Sequence, residues 1–270
     1  MMTVWMQILQ SFPEAFASGL LISAVCAFLG VFVVLKRLVF IGATLSEAAA
    51  CGIAASFVLG IAPVAGALTA TFAAVTLLAG NTHEERLPRD SVLAAVFIGA
   101  ASLGILFAAK SARGLEEVKS LLYGDLILTS GRDLNLLAVC LVPSAAAVGI
   151  FLRPILMTFL DRDAAKVLKV RVVFWELLFF YALALAVSAS SKLGGMLLVF
   201  CMLVVPPMTA LLLTQRLRMA IVLSVAAAWI SVACGFYLSM ISDLPVNPSI
   251  GFFSCIFLAA AAAVRRFLKT

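Results

Sequence analysis

Apolar segments about twenty residues long recur from one end of this chain to the other. A bilayer core about 30 Å thick is crossed by roughly 20 residues of helix, and an open strand cannot satisfy its backbone in lipid. We therefore expect an all-α integral membrane bundle of about nine spans, with eight as the alternative. The spans are expected at about 14–35, 38–59, 62–80, 91–109, 134–152, 172–190, 194–214, 219–240 and 248–265. The count depends on 172–214, one apolar run that the Ser, Lys and Gly residues of SASSKLGG divide into two crossings.

The composition excludes several classes of protein. Of the 270 residues, 64% are hydrophobic and 12% are charged, and the mean hydropathy is +1.20, far from that of a soluble domain. The six cysteines are scattered without a C-x-x-C spacing, so neither a disulfide framework nor a zinc knuckle is indicated. The single histidine, His83, lies in a polar loop, where it cannot complete a nucleophilic Ser-His or Cys-His pair. The chain also contains no G-x-x-x-x-G-K-[ST] loop, so it is not expected to be an enzyme that hydrolyses ATP itself.

The net charge of +6 arises mainly from one side of the predicted bundle. Fourteen of the nineteen Lys and Arg residues fall on that side, in 36–37, 86–89, 153–171, 216–218 and 265–269. The positive-inside rule assigns this side to the cytoplasm. We therefore expect a multi-pass protein of the cell inner (plasma) membrane, with an external N-terminus and a cytoplasmic C-terminus. Its charge is explained by the lipid bilayer, and nucleic acid is not an expected partner.

The segment 115–133, LEEVKSLLYGDLILTSGRD, carries an apolar patch between two spans. The patch is too short to cross the membrane, which indicates a re-entrant or interfacial element on the outer side. An amphipathic surface loop is an equally weighted alternative. No internal repeat is evident, so residues 1–270 are expected to form a single transmembrane domain.

A second segment, TFLDRDAAKVLKVR at 158–171, is expected on the cytoplasmic side. Asp161 and Asp163 lie near its start, and basic residues follow from Lys166 onwards. This polarity suits the macrodipole of a helix, and apolar residues recur on one face at helical spacing. We expect a short helix that lies on or under the membrane.

One carboxylate, Glu47, falls mid-way through a predicted span, in FIGATLSEAAACGIAAS. Because a charge at this depth is costly, the default interpretation is an interior-facing functional site that attracts cations. The alternative, given equal weight, is a neutral glutamic acid hydrogen-bonded to a neighbouring helix. Helical spacing places Glu47 and Cys51 on one face with two hydroxyls close by. The candidate residues lining a path are therefore Thr44, Ser46, Glu47 and Cys51.

A second acidic residue, Glu176, lies near the cytoplasmic start of the sixth predicted span. We favour a structural role for it, paired with Arg171 or with a neighbouring helix end, over a functional one. Gly52, among the alanines around Glu47, favours close helix packing.

Five stretches of the chain carry family motifs: GVFVVLKRLVFIGATLSEAAACGIA (30–54), SLLYGDLILTSGRDL (120–134), FLDRDAAKVLKV (159–170), GGMLLVFCMLVVPPMTALLL (194–213) and SDLPVNPSIGF (242–252). In this order they resemble the membrane permeases of zinc- and manganese-type ABC importers over nearly the whole chain. The third stretch resembles the cytoplasmic segment of the family through Asp161 and Ala165. The fourth, the most specific, carries Gly195 and Pro206, to which we assign helix packing and gating.

The resemblance implies a fold of the type II ABC importer kind, with a homodimer whose two copies enclose a translocation path. It also implies two ATP-binding cassette subunits docked under the 158–171 helix and an external solute-binding protein. ATP and Mg would bind to the partner subunit, a divalent metal would be the substrate, and this chain would bind no cofactor. The residues that would couple to the ATPase are Asp161, Asp163, Ala165 and Lys166.

The departures from the family pattern affect the substrate site. The aspartate and histidine of the family align with Ala43 and Glu47, so one carboxylate replaces a pair of ligands; Lys169 and Asn247 stand in glycine positions. Glu47 and Cys51 of each protomer could together supply O and S ligands. Zn or Mn is the first expectation. The alternatives are a non-metal substrate in the same architecture, and an ion-coupled secondary transporter without ATPases.

Overall fold

A computed structural model of the chain describes residues 11–80, 89–110, 123–160, 165, 167–168 and 170–269. Within these residues the long elements are all α-helices. They are α1 (Pro13–Leu35), α2 (Val39–Leu59), α3 (Pro63–Gly80), α4 (Arg89–Lys110), α5 (Gly131–Ile150), α6 (Leu152–Leu160), α7 (Val172–Leu213), α8 (Leu217–Ser242) and α9 (Val246–Lys269).

The longest helix, α7, has 42 residues and is interrupted at Gly195, where φ is 68° and ψ is 167°. A straight helix of this length would measure about 63 Å, twice the thickness of a bilayer core. The conformation at Gly195 is essentially restricted to glycine, so the sequence itself dictates where the helix breaks. The two crossings expected within 172–214 are confirmed.

The all-α membrane fold is confirmed for the described residues. Seven helices are long and apolar enough to cross a membrane, and the apolar part of α3, Pro63–Leu78, is shorter. With both halves of α7 counted, these helices correspond to the nine predicted spans. The predicted start of α5 at 134 was three residues late, because Ser130 and Asp133 form a capping box that begins the helix at Gly131.

The bundle is organised around α7, which contacts α1, α2, α3, α5, α6, α8 and α9. Small residues and prolines allow the closest approach between α7 and α1. Pro207 has no backbone N–H for the Leu203 carbonyl one turn earlier, and this oxygen lies so close to Gly30 that a Cβ there would overlap it. Since lipid offers little hydrophobic drive between helices, such close packing is a main source of their association.

Candidate functional site

Glu47 lies on a strip of α2 that the chain itself leaves partly uncovered. Residues 41–46 and 48–49 of this helix are buried, whereas Glu47, Cys51 and Ala55 are half-buried. These three positions follow one another at i, i+4 and i+8 and so share one face. We call Glu47, Cys51 and Ala55 the α2 strip. Its one carboxylate and one thiol are the donors that it could present to a cation.

The structure does not bring Thr44 and Ser46 to the α2 strip. Thr44 is fully buried, and its hydroxyl donates to the carbonyl oxygens of Phe40 at 3.0 Å and of Leu93 in α4 at 3.3 Å. Ser46 is also fully buried, and its Oγ has no hydrogen-bond partner among the described residues. Both side chains point into the bundle, and Thr44 joins α2 to α4.

Backbone contacts hold α2 in place next to the strip and at Cys51 itself. Gly52 faces Gly66 of α3 so closely that a Cβ on either residue would overlap the backbone carbonyl oxygen of the other. On α4, a Cβ at Gly104 would lie 3.3 Å from Cα of Cys51. Gly52 therefore has the packing position that the sequence favoured, and the α2 strip sits on a helix that is closely packed against two neighbours.

The described part of one chain does not contain a complete metal site. No group of three or more His, Cys, Asp and Glu residues lies together there. Glu47 and Cys51 are thus the most that a single copy offers on the α2 strip. A coordination shell of three or four protein ligands would need further donors from beyond the α2 strip.

The segment 158–171 departs in part from the single helix expected there. Residues 158–160 are the last turn of α6, and residues 170–171 are not helical. Of the predicted coupling residues, Asp161, Asp163 and Lys166 lie outside the described residues. Ala165 is fully buried and accepts a hydrogen bond from the Val170 amide at 3.0 Å.

Two apolar side chains of this segment are exposed. Val167 is 81% exposed and Leu168 is 58% exposed. They lie on the same side of the bundle as Lys36, because Lys36 at the end of α1 contacts both α6 and the start of α7. An apolar surface beside a charged helix end is suited to contact with another protein.

Glu176 forms a buried ion pair at this end of the bundle. Its Oε1 lies 2.6 Å from Nζ of Lys36, and the two side chains are 8% and 12% exposed respectively. The partner is the residue that ends α1, in agreement with the interpretation that Glu176 pairs with a neighbouring helix end. Glu176 therefore joins α7 to the end of α1.

At the other end of the bundle, the break in α7 meets the segment before α5 and the first turn of α9. Gly195 and Gly124 pack backbone to backbone, with φ of 68° and 62°. The Nδ2 of Asn247, which is 3% exposed, donates to Tyr123 O at 2.6 Å and Gly194 O at 3.1 Å and lies 3.4 Å from Leu193 O. Of the predicted outer element at 115–133, the structure describes residues from 123 onwards, and this part docks on the bundle through the buried Leu126.

The geometry is that of a membrane bundle with one acidic strip and a broken central helix. The end of the bundle that carries Val167 and Leu168 is suited to contact with a partner. The model of the ABC 3 transport family matches residues 8–265. This chain belongs to the ABC 3 transport family. Membership confirms the resemblance that the five sequence stretches indicated.

Several relatives of this ABC 3 family chain are transport proteins. The chelated iron transport system membrane protein YfeC of Yersinia pestis is 27% identical over 223 residues, which cover 83% of this chain and 76% of YfeC. The high-affinity zinc uptake system membrane protein ZnuB of Buchnera aphidicola is 26% identical over 243 residues, covering 89% and 93%. The fold matches that of a chain in the PsaBC complex from Streptococcus pneumoniae bound to a Fab, with a TM-score of 0.84, 23% identity and coverage of 97% and 95%.

Two residues of this ABC 3 family chain have structural positions that sequence reasoning did not assign. Lys36 counted only as a charge that orients the protein, although its place directly after an apolar run allows it to be drawn into the bundle. Asn247 was visible only as a departure from a glycine position. Asn247 could be recognised as a structural residue only once its buried amide is known to lie beside the glycine-rich break in α7.

Proposed function

We propose that this chain is the permease subunit of an ATP-driven importer that moves a divalent transition metal ion, Zn or Mn in the first place. The observation that carries the proposal is Glu47, a half-buried carboxylate at mid-span on a partly uncovered strip of a chain from this family. Carboxylates at this depth are costly and mark ion pathways. YfeC and ZnuB are named as proteins of chelated iron transport and zinc uptake, which supports a metal as the substrate.

Two copies of the chain supply the route in this proposal. The α2 strips face each other across a twofold axis, so that Glu47 and Cys51 from each copy offer two oxygen and two sulfur ligands. Such a mixed set suits a transition metal better than Mg²⁺ or Ca²⁺. A permease must also release what it binds, and a site shared between two moving chains can be opened by separating them.

Separate chains provide the energy. The sequence has no P-loop, so ATP and Mg²⁺ bind to two ATPase subunits. These subunits dock at 158–171, where Val167 and Leu168 offer exposed apolar side chains. The excess of basic residues on this side supports a cytoplasmic location for this end and for the C-terminus. The N-terminus and the 123–130 segment then lie outside, where a solute-binding protein delivers the metal.

The test is uptake of radioactive Zn²⁺ or Mn²⁺ by cells that express the chain together with its ATPase and solute-binding protein. Glu47→Gln keeps the shape of the side chain but removes its charge, and it should abolish uptake while the complex still assembles. Glu14→Gln, at an exposed carboxylate in the first turn of α1, is the matched control and should transport normally.

Other outcomes would redirect the proposal. Normal uptake by Glu47→Gln would remove the α2 strip from the pathway. Uptake of neither ion nor of iron by the unaltered complex would indicate a non-metal substrate. Uptake by the chain without the ATPase would indicate an ion-coupled carrier.

A further inference from the structure

Lys36 sits in a buried cluster that joins three separate elements at the inner end of the bundle. Its Nζ lies 2.6 Å from Oε1 of Glu176 in α7 and 4.1 Å from the ring centroid of Phe159 in α6. The same Nζ also lies 5.3 Å from the ring centroid of Phe180 in α7. An ammonium within about 6 Å of a ring centroid is attracted by the π system, more strongly when it is desolvated. Lys36 is thus held by a charge on one side and by aromatic faces on another.

The aromatic part of the cluster extends into the bundle. Phe159 packs edge to face against Phe179, with centroids 5.0 Å apart, and Phe179 is 6.1 Å from Phe32 of α1. Such T-shaped pairs are the favoured arrangement for aromatic side chains. The end of α6 is therefore bound to both α1 and α7 through contacts that converge on Lys36.

The residues that contact Lys36 lie on both sides of one segment of the chain. Phe159 is the last residue but one of α6, and Glu176 lies near the start of α7. The segment 161–170 runs between these two helices, so Lys36 contacts the chain on both sides of it. This is the segment at which the proposed ATPase docks.

On its other side Lys36 leads directly into the helix that carries Glu47. It is the C-cap of α1, and α2 begins at Val39. The turn between them is closed by hydrogen bonds from the Lys36 amide to Phe32 O at 3.0 Å and from the Leu38 amide to Val33 O at 3.1 Å. Glu47 follows the start of α2 by eight residues, about 12 Å along the helix. Only residues 36–38 lie between the two helices and the turn is hydrogen-bonded, so a movement of Lys36 displaces the start of α2.

The ion pair is also of the kind that resists separation. Exposed ion pairs contribute little, but removing one partner of a buried pair leaves a charge in an apolar environment. Separating Lys36 from Glu176 is therefore costly, so the two side chains stay together when α1 or α7 moves.

We propose that Lys36 is the positioning residue that transmits displacement of the 158–171 segment to α2 and so to the α2 strip. The inference rests on the proposed function, because it requires an ATPase acting on that segment. It assigns to Lys36 a mechanical role in coupling and no contact with the transported ion.

The experiment compares metal transport with ATP consumption. The chain is reconstituted in liposomes with its ATPase and solute-binding protein, and import of Zn²⁺ or Mn²⁺ and release of phosphate are measured on the same sample. Lys36→Met combined with Glu176→Met removes both charges but keeps apolar bulk. This double variant should import at least about fivefold fewer ions per ATP hydrolysed, the lower end of coupling between distant sites. Lys36→Arg keeps the cation and should retain the wild-type ratio.

Phe159→Leu provides a milder variant that keeps the ion pair, and it should lower the same ratio. The matched control is Lys192→Met, which removes a 2.7 Å ion pair with Asp133 at the opposite end of the first half of α7. This control should leave the number of ions per ATP unchanged. A role in stability alone would lower the amount of complex without changing that number.

A wild-type ratio of ions to ATP in the double variant or in Phe159→Leu, measured beside an active wild-type complex, would overturn the role of Lys36 and leave the proposed function intact. Absence of ATP-driven uptake by the wild-type complex would overturn the proposed function and this inference with it.

Discussion

Replacing Asn247 with alanine should lower the free energy of unfolding by about 1–2 kcal/mol. The amide nitrogen makes two good hydrogen bonds, to Tyr123 O at 2.6 Å and Gly194 O at 3.1 Å, and a third contact of 3.4 Å that is too long to count fully. Side-chain hydrogen bonds in membrane bundles average about 0.6 kcal/mol and reach about 1.7 kcal/mol, and these lie at the favourable end because the residue is 3% exposed. Part of the loss is offset, because the Oδ1 has no partner among the described residues and its burial carries a cost.

Asn247→Asp distinguishes this explanation from a simple loss of packing. The aspartate has the same shape, but it directs an oxygen at carbonyl oxygens instead of an N–H donor. Even when protonated it offers one O–H where the amide nitrogen offers two N–H groups. We expect a loss of at least about 3 kcal/mol, larger than that of the smaller alanine, because a buried acceptor then faces acceptors.

The assay is reversible unfolding of the full chain in mixed micelles, followed by circular dichroism. Ser249→Ala is the matched control: this serine is also buried in α9, but its hydroxyl donates to Pro245 O at 2.8 Å within the first turn. It should change stability by less than about 0.5 kcal/mol. An aspartate variant that is as stable as the alanine variant would refute the reasoning, because the amide nitrogen would then not be the atom that faces the carbonyls.

Two backbone positions give further predictions. Gly195→Ala should prevent a monodisperse bundle in size-exclusion chromatography of membrane extracts, because φ is 68° there and a Cβ would overlap the backbone of the 123–124 peptide. Gly194→Ala, whose Cβ would meet only side chains at 3.4 Å or more, should behave as wild type, and identical profiles for the two variants would contradict the argument. Gly52→Ala should force α2 away from α3 and destabilise the protein by about 1–3 kcal/mol, measured as a lower Tm. Gly99→Ala has open space around its Cβ and should not lower the Tm, because alanine is favoured over glycine within a helix; an equal Tm for both variants would show that the α2–α3 contact can relax.

The sequence predicted the spans well because the bilayer limits the choices so strongly. Each span must be a helix of a given length, so hydropathy alone located the elements to within a few residues. The division of α7 was also predictable, since Ser, Lys and Gly interrupt its apolar run. The capping box of Ser130 and Asp133 is a local signal as well, and it begins α5 three residues before the position that hydropathy alone predicts.

The contacts between distant residues could not be predicted in the same way. Lys36 and Glu176 are 140 residues apart, and the charge of each is equally compatible with an interfacial side chain. Thr44 and Ser46 were placed beside Glu47 because helical spacing gives angular position but does not indicate which side a neighbouring helix covers. That depends on the approach of α4 through Leu93, which is a tertiary contact.

Because the chain is synthesised from its N-terminus, the hydrogen bonds of Asn247 can form only late in biogenesis. The carbonyl of Gly194 is synthesised 53 residues before the amide that binds it. Until α9 enters the membrane, the interrupted helix carries polar groups that lipid cannot satisfy. A nascent chain arrested after α8 should therefore leave the break in α7 unsealed and be recognised by membrane quality-control proteases, while the finished chain resists them.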